Sequence, residues 1–367
     1  MVERSFFPER ILVIRLGAIG DLLCSTPVVT NLRKNYPQSH IVFLVEKKFE
    51  EVLIGNPHLD ELILFDRPSH RLSLRWWRRG ATRSNPIIRL IEELKFLIKI
   101  RHRRFDLTID LLGTLRTALL SFVSGAKQRV GFTYRFRKLF YNIRVVAKNP
   151  QYVVDFNLDS LRALGLKIMS KDLVFNVPES SRRFAKDFFR RGEVISPKVG
   201  QSSRLTKNIG IFPGGGWSSK RWRGERYAKL GDKIQKELDC EVILLGGPQE
   251  KGVLSEIASR MNRKPMILEG VSLKKFAGVV ENLDLLIGND SGPIYIAIAL
   301  KVPTITLFGP TDSKNATPPD GKHIAISKNH LCRNPNAISC ILQDCCIQSI
   351  TVEEVLEKVR EVLKNCP

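Results

Sequence analysis

The sequence has no apolar run approaching the roughly 18–20 residues that span a bilayer, and Met1–Arg10 lacks the apolar centre and cleavage site of a secretory signal. A cytoplasmic protein is expected. The seven cysteines (Cys24, Cys240, Cys332, Cys340, Cys345, Cys346 and Cys366) are an odd number with no C-x-x-C spacing. A chain of this length needs no cross-links, so a reducing compartment fits. No G-x-G-x-x-G follows a strand-like run, which disfavours a dinucleotide oxidoreductase, and the G-x-x-x-x-G-K-[ST] loop of nucleoside triphosphatases is missing.

Acidic side chains are also scarce. Against 59 Lys and Arg there are 37 Asp and Glu, a formal charge of +22. The excess is regional: residues 67–104 carry 12 basic and 2 acidic side chains, residues 126–149 carry 7 and none, and residues 181–207 carry 8 and 2. The rest of the chain is close to neutral. A regional cationic surface reads as attraction to a polyanion, either nucleic acid or an anionic membrane, against the plainer reading of a solvated face. Basic side chains interleaved with stacking aromatics on a recognisable nucleic-acid module are not visible, so nucleic acid is the weaker of the two.

What is present is a 367-residue chain with 43% hydrophobic and 26% charged residues, the composition of a globular enzyme of about two domains. Ile11–Arg15, Ile41–Val45, Leu62–Phe65 and Leu107–Leu111 are short apolar runs of the kind found in buried parallel strands, and they alternate with helical patterns. A helix is expected from Asp21 to Asn35, and an amphipathic one over Ile87–Lys99 behind Trp76-Trp77-Arg78-Arg79, a loop suited to a membrane interface. A second α/β pattern opens at Asn208, with strands at Ile209–Phe212, Val242–Leu245, Met266–Leu268, Leu285–Ile287 and Thr304–Leu307. Two doubly wound domains follow, residues 1–195 and 208–350. Residues 351–367 hold a last helical pattern, for which one reading is a return to the first domain.

Three loops sit at the carboxyl ends of expected strands, where such folds bind ligands. Gly17-Ala18-Ile19-Gly20-Asp21 places a carboxylate at a helix start, where Asp21 is either a cap or a general base. Pro213-Gly214-Gly215-Gly216-Trp217-Ser218-Ser219-Lys220 combines backbone amides open to close approach with a cation, the requirements of a diphosphate site. Gly288-Asn289-Asp290-Ser291-Gly292-Pro293 again precedes a helix, and its Asp290 would orient sugar hydroxyls or bind Lys220. Together they point to a nucleoside diphosphate. In Gly246-Gly247-Pro248-Gln249-Glu250, Glu250 is placed to accept from ribose hydroxyls.

Ile14-Arg15-Leu16-Gly17-Ala18-Ile19-Gly20-Asp21, Lys220-Arg221-Trp222 and Asn289-Asp290-Ser291-Gly292, in this order, resemble glycosyltransferase family 9, the lipopolysaccharide heptosyltransferases, over nearly the whole chain. The resemblance implies a GT-B fold, two Rossmann-like domains facing a central cleft, with ADP-heptose held mainly by the second and a lipid A–core acceptor by the first. It implies Asp21 as the base and Lys220 as the phosphate-binding lysine. Gly214, Gly215, Gly216, Asp290, Ser291 and Gly292 would form the donor loops, with Glu250 at the ribose. The reaction would be inverting. No D-x-D pair stands ready for a metal, so no metal or cofactor is expected, and cations and helix ends would stabilise the leaving diphosphate. Trp76, Trp77, Arg78 and Arg79 would face the membrane, making the protein peripheral to it, and no nucleic acid is expected as a partner. A relative using another sugar nucleotide, such as an N-acetylhexosamine donor, and, outside enzymes, a basic nucleic-acid-binding protein are the alternatives. Two positions depart from the family: Tyr295 stands where His is common, and Leu112 replaces Gln in Asp110-Leu111-Leu112-Gly113. Cys332, Cys340, Cys345 and Cys346, near His330, resemble a Cys-rich family segment and read as buried thiols, with a metal or a disulfide as alternatives.

Overall fold

The fold is seen in a computed structural model that describes residues 7–66, 86–132, 135–146, 152–195, 206–332 and 346–365. Trp76, Trp77, Arg78, Arg79, Cys340 and Cys345 lie outside the described residues. The chain divides into two compact units, Met1–Asn149 with Val154–Asp172, and Pro150–Val153 with Leu173–Pro367.

The first unit is a parallel sheet of six strands: β1 (Arg10–Ile14), β2 (His40–Glu46), β3 (Glu61–Phe65), β4 (Leu107–Asp110), β5 (Gln128–Phe132) and β6 (Ile143–Val145), in the order β3-β2-β1-β4-β5-β6. The second repeats it with β7 (Asn208–Phe212), β8 (Glu241–Gly246), β9 (Met266–Glu269), β10 (Leu285–Asn289), β11 (Thr304–Phe308) and β12 (His323–Ser327), ordered β9-β8-β7-β10-β11-β12. Ile11–Ile14 and Ile41–Val45 are wholly buried, as unbroken apolar runs covered by helices on both faces should be. In each sheet the chain reverses its direction of winding between the first strand and the fourth, and the crevice beyond those carboxyl ends is where doubly wound folds bind ligands. The two crevices are therefore set by the loops after β1 and β4, and after β7 and β10.

Three expectations are corrected. The helix expected over Asp21–Asn35 is two, Ile19–Leu23 and Thr26–Asn35. Pro27 has no N–H to bond the Leu23 carbonyl, which instead accepts from Thr26 Oγ1 at 2.7 Å. Residues 173–195, expected in the first domain, belong to the second unit. Helix Glu179–Ile195 packs closely on helix Leu273–Val280 because Gly278 has no side chain, and a Cβ there would lie 2.5 Å from the Ser181 carbonyl oxygen. Arg182 fastens the pair to Glu281 with hydrogen bonds of 2.9 and 3.0 Å. The last helix, Val352–Asn365, belongs to the second unit. Its Val355, Leu356, Val359 and Val362 are buried in the second core with Ile209, Tyr227 and Ile234.

The end of β4 holds a wholly buried carboxylate, Asp110. Tyr141 Oη donates to its Oδ2 at 2.6 Å, while the amides of Leu112 and Gly113 donate to Oδ1 at 2.9 and 3.0 Å. Gly131 makes room for the Tyr141 ring, since a Cβ there would lie 2.4 Å from it. Burial raises the Asp110 pKa above its ordinary 3.8, against the opposing pull of these hydrogen bonds. A raised folded-state pKa means that the native carboxyl holds its proton longer than the unfolded one, so Asp110 costs stability increasingly as pH rises above about 4. Tyr141→Phe removes one of the opposing bonds and leaves Oδ2 unpartnered by Tyr141. The variant is expected to lose about 2–3 kcal/mol at pH 7.5 and less at pH 4.5, because a carboxyl whose pKa is raised takes up its proton more readily as pH falls. Urea melts at the two pH values check this, and an equal loss at both would separate the tyrosine from the charge on Asp110.

Candidate active site

In the first unit, Arg15 follows β1 and turns back under the loop. Its Nη1 donates to the Leu111 carbonyl at 2.5 Å and its Nη2 lies 2.9 Å from Asp21 Oδ1. Arg15 thereby links the loops after β1 and β4, the pair that frames the crevice. Asp21 stands in the first turn of helix Ile19–Leu23, and its Oδ2 accepts from the Ala18 amide at 3.2 Å. The carboxylate thus does cap the turn, but its side chain is also 44% exposed while Arg15 is 13% exposed. Asp21 is oriented by a largely buried cation and keeps much of its own carboxylate exposed. Phe49 packs against Gly17, where a Cβ would lie 2.3 Å from the ring, so this glycine admits the aromatic side chain that holds the loop.

In the second unit, the loops after β7 and β10 are joined by Asn289, which is wholly buried. Its Nδ2 donates to the carbonyls of Pro213 and Gly214 at 2.8 and 3.0 Å, and its Oδ1 accepts from the Trp222 amide and the Tyr227 hydroxyl at 3.1 and 3.0 Å. One side chain uses both amide hydrogens and both lone-pair directions to hold the glycine loop. Arg221 adds a bond from Nε to the Gly215 carbonyl at 2.8 Å. Gly214 has no room for a Cβ, which would lie 2.6 Å from Phe212, whereas a Cβ on Gly216 would meet nothing within 4 Å. The loop is tight at its root and open at its tip.

Lys220 Nζ lies 2.5 Å from Asp290 Oδ2, with the two side chains 16% and 11% exposed. Thr311 Oγ1 donates to the same oxygen at 3.0 Å. The Ser218–Lys220 turn can come this close because Gly309 has no side chain, and a Cβ there would lie 2.6 Å from the Ser219 carbonyl. Trp217 places its ring 5.1 Å from the ammonium. Ser291 opens helix Gly292–Ala299 in an extended conformation, its hydroxyl donating back to the Asn289 carbonyl at 3.0 Å. Glu250 sits just ahead of helix Lys251–Arg260 and its Oε2 accepts from the Gly247 amide at 3.0 Å, which fixes the turn after β8.

The structure therefore brings Gly214, Gly215, Lys220, Asp290 and Ser291 together at one switch point, and Arg15 with Asp21 at the other. Of the two readings of Asp290, the contact with Lys220 is present. Tyr295 is half-buried on helix Gly292–Ala299, and Leu112 gives only its amide to Asp110. Cys332 is a free thiol, and Cys346 is buried. Among the described residues, no three His, Cys, Asp or Glu side chains gather as metal ligands would. No helix among them is long and apolar enough to cross a membrane. The sequence alone gives Arg15, Asn289 and Thr311 no role of their own. A lone Arg ending a strand of aliphatic residues, and an Asn ending β10 before an Asp, are the signals that marked the first two.

Residues 94–345 match the profile of glycosyltransferase family 9 (heptosyltransferase). The chain is 27% identical to lipopolysaccharide heptosyltransferase 1 of Campylobacter coli, over 96% of this chain and 98% of that protein. The glycosyl transferase family 9 structure from Veillonella parvula is similar with a TM-score of 0.79 and 24% identity, covering 97% of both chains. The ADP-heptose lps heptosyltransferase II of E. coli has a TM-score of 0.70 and 21% identity, over 97% of this chain and 99% of that one.

Proposed function

The chain belongs to glycosyltransferase family 9, and on that premise we propose that it transfers heptose from ADP-heptose to a lipopolysaccharide core acceptor, with inversion and without a metal. Heptosyltransferase-type transfer in lipopolysaccharide synthesis is the activity of its relatives by name, and a glycosyltransferase of that type is what the family membership assigns. The finer reading is ours, and the placing of Lys220 and Asp290 between an amide-lined glycine loop and a helix start carries it.

In this reading the donor diphosphate lies against the tip of the Gly214–Gly216 loop and the start of helix Gly292–Ala299. Lys220 turns its ammonium from Asp290 alone to Asp290 and the phosphates, and its charge matters most as ADP departs with the bonding electron pair. Asp21 takes the proton of the acceptor hydroxyl as that oxygen forms its bond to the anomeric carbon. Attack opposite the leaving group inverts the anomeric centre. Glu250 meets the ribose with the carboxylate oxygen not engaged by Gly247.

Thermal unfolding of the purified chain with ADP, UDP, GDP or NAD discriminates the donors. ADP at about a hundred times its Kd should add roughly 2.7 kcal/mol of stability. Stabilisation by UDP alone would replace the heptose reading with the N-acetylhexosamine one. Product analysis by NMR completes the test, and retention at the anomeric centre would rule out Asp21 as a base in single displacement.

A further inference from the structure

Helix Pro86–His102 is apolar on two sides. The expected single apolar face over Ile87–Lys99 is divided in the structure: Phe96, Leu97 and Ile100 turn to the sheet with Leu12, Ile63 and Phe65, whereas Ile91, Leu94 and Ile98 face outward, 44%, 49% and 55% exposed. These three recur at i, i+3 and i+7 and so form one stripe. The neighbouring helix Leu115–Val123 repeats the arrangement, with Ala118 and Leu120 buried and Leu115, Leu119 and Phe122 54%, 39% and 51% exposed, again at i, i+4 and i+7. The two helices are joined side by side by Arg116 to Glu93 at 2.8 Å and by Arg101 Nη1 to the Ser124 carbonyl at 3.5 Å. Phe122 is further backed by Phe140 edge-on at 5.8 Å and by the Arg129 guanidinium at 5.6 Å.

The surroundings of this face decide what covers it. Lys95, Lys99, Arg101, His102 and Arg116 are exposed around the stripes against one exposed acid, Glu92, since Glu93 is already taken by Arg116. The helix lies in the stretch 67–104 with its 12 basic and 2 acidic residues, and the stretch 126–149, with 7 and none, follows the second helix directly. An apolar face with a cationic rim is complementary to the boundary between acyl chains and anionic headgroups.

We propose that helices Pro86–His102 and Leu115–Val123 form the face by which the first unit docks on an anionic bilayer, with Ile91, Leu94, Ile98, Leu115, Leu119 and Phe122 entering the headgroup boundary. The proposal deepens the reading of a lipid-linked acceptor and rests on it. No described helix spans the membrane in this arrangement, and the apolar side chains supply the part of the attraction that salt does not screen.

Flotation of the full chain with vesicles of phosphatidylglycerol and phosphatidylethanolamine, against vesicles of phosphatidylcholine, provides the test. The wild type should bind the anionic vesicles at least tenfold more tightly. Leu94→Ser with Leu119→Ser should weaken that binding about tenfold or more at both 0.1 and 0.5 M salt, because the loss is apolar. Lys95→Ser with Lys99→Ser should weaken it only at the lower salt. Met169→Ser, on an exposed side chain of the same unit away from the two helices, is the control and should bind as wild type. All five side chains are exposed, so the variants should fold. Equal binding by wild type and the Leu94→Ser, Leu119→Ser variant would overturn the proposal, as would wild-type binding to neither vesicle or to both alike. Binding is read without turnover, so failure of the docking face is distinct from failure of the transfer reading. Transfer to a detergent-dispersed acceptor should stay within about twofold in these variants, while transfer to the same acceptor in anionic vesicles falls with binding.

Discussion

Replacing Asp21 by Asn is expected to lower heptosyl transfer by about 10²–10⁴-fold while leaving the affinity for ADP within about twofold. The range is that of a lost general base. Asn has the shape of Asp and keeps one oxygen to accept from Arg15 Nη2, now 2.9 Å from Oδ1. Its Nδ2 cannot accept from the Ala18 amide as Asp21 Oδ2 does at 3.2 Å, so the turn loses one hydrogen bond of about 1 kcal/mol and the melting temperature should fall by only a few degrees. What disappears is the capacity to take a proton. Since the loops proposed to hold the nucleotide belong to the other unit, after β7 and β10, the loss should fall on kcat with an acceptor present and not on nucleotide binding. Steady-state kinetics with calorimetric titration of ADP makes the check. Activity within about threefold of wild type would correspond to under ~0.7 kcal/mol of barrier and would leave Asp21 as the cap of its turn alone.

The sequence displays the frame of this molecule because its central strands are buried on both faces. Ile11–Ile14, Ile41–Val45 and Leu285–Ile287 have no water-facing side, so they read as unbroken aliphatic runs whatever surrounds them. Of the four edge strands, β3 and β9 still read as apolar runs, whereas β6 and β12 do not carry that signal. β6, Ile143–Arg144–Val145, has one neighbour and alternates exposure with burial, and β12 is mostly half-buried, so neither stands out from a loop. Helix Pro86–His102 shows a second limit. Periodicity finds apolar residues on one broad side, but which of them meets the sheet is settled by the packing of Phe96, Leu97 and Ile100.

The chemistry divides in the same way. Gly214–Gly216, Lys220 and Asp290 are legible because amides, a cation and a helix start are needed for a diphosphate and stand in short motifs. Their assembly is not, because it depends on contacts across long separations. Asn289 meets Pro213 across 76 residues, and Tyr141 meets Asp110 across 31. Nothing in the local pattern of either partner announces the other. The sequence marks Asp110 only through the Leu112 departure beside it, yet it is the buried carboxyl on which the loop after β4 is built.

Lys220→Ala is expected to weaken ADP binding and to lower kcat/KM by about 100-fold, the worth of a charge-assisted contact to a departing diphosphate. The variant alone is ambiguous. Lys220 and Asp290 are 16% and 11% exposed and 2.5 Å apart, so removing the ammonium strands a carboxylate with only Thr311 known to donate to it. Breaking one side of a buried pair costs on the order of 3–5 kcal/mol, enough to disorder the loop and lose ADP indirectly. The double variant Lys220→Ala, Asp290→Asn separates the two causes, because Asn carries no charge and still accepts from Thr311. It should recover most of the lost thermal stability. If Lys220 meets the phosphates itself, ADP affinity stays low in the double variant although the fold is restored. Recovery of ADP affinity to within threefold of wild type would instead make Lys220 a partner of Asp290 alone, and the diphosphate would then be held by the loop amides and the start of helix Gly292–Ala299.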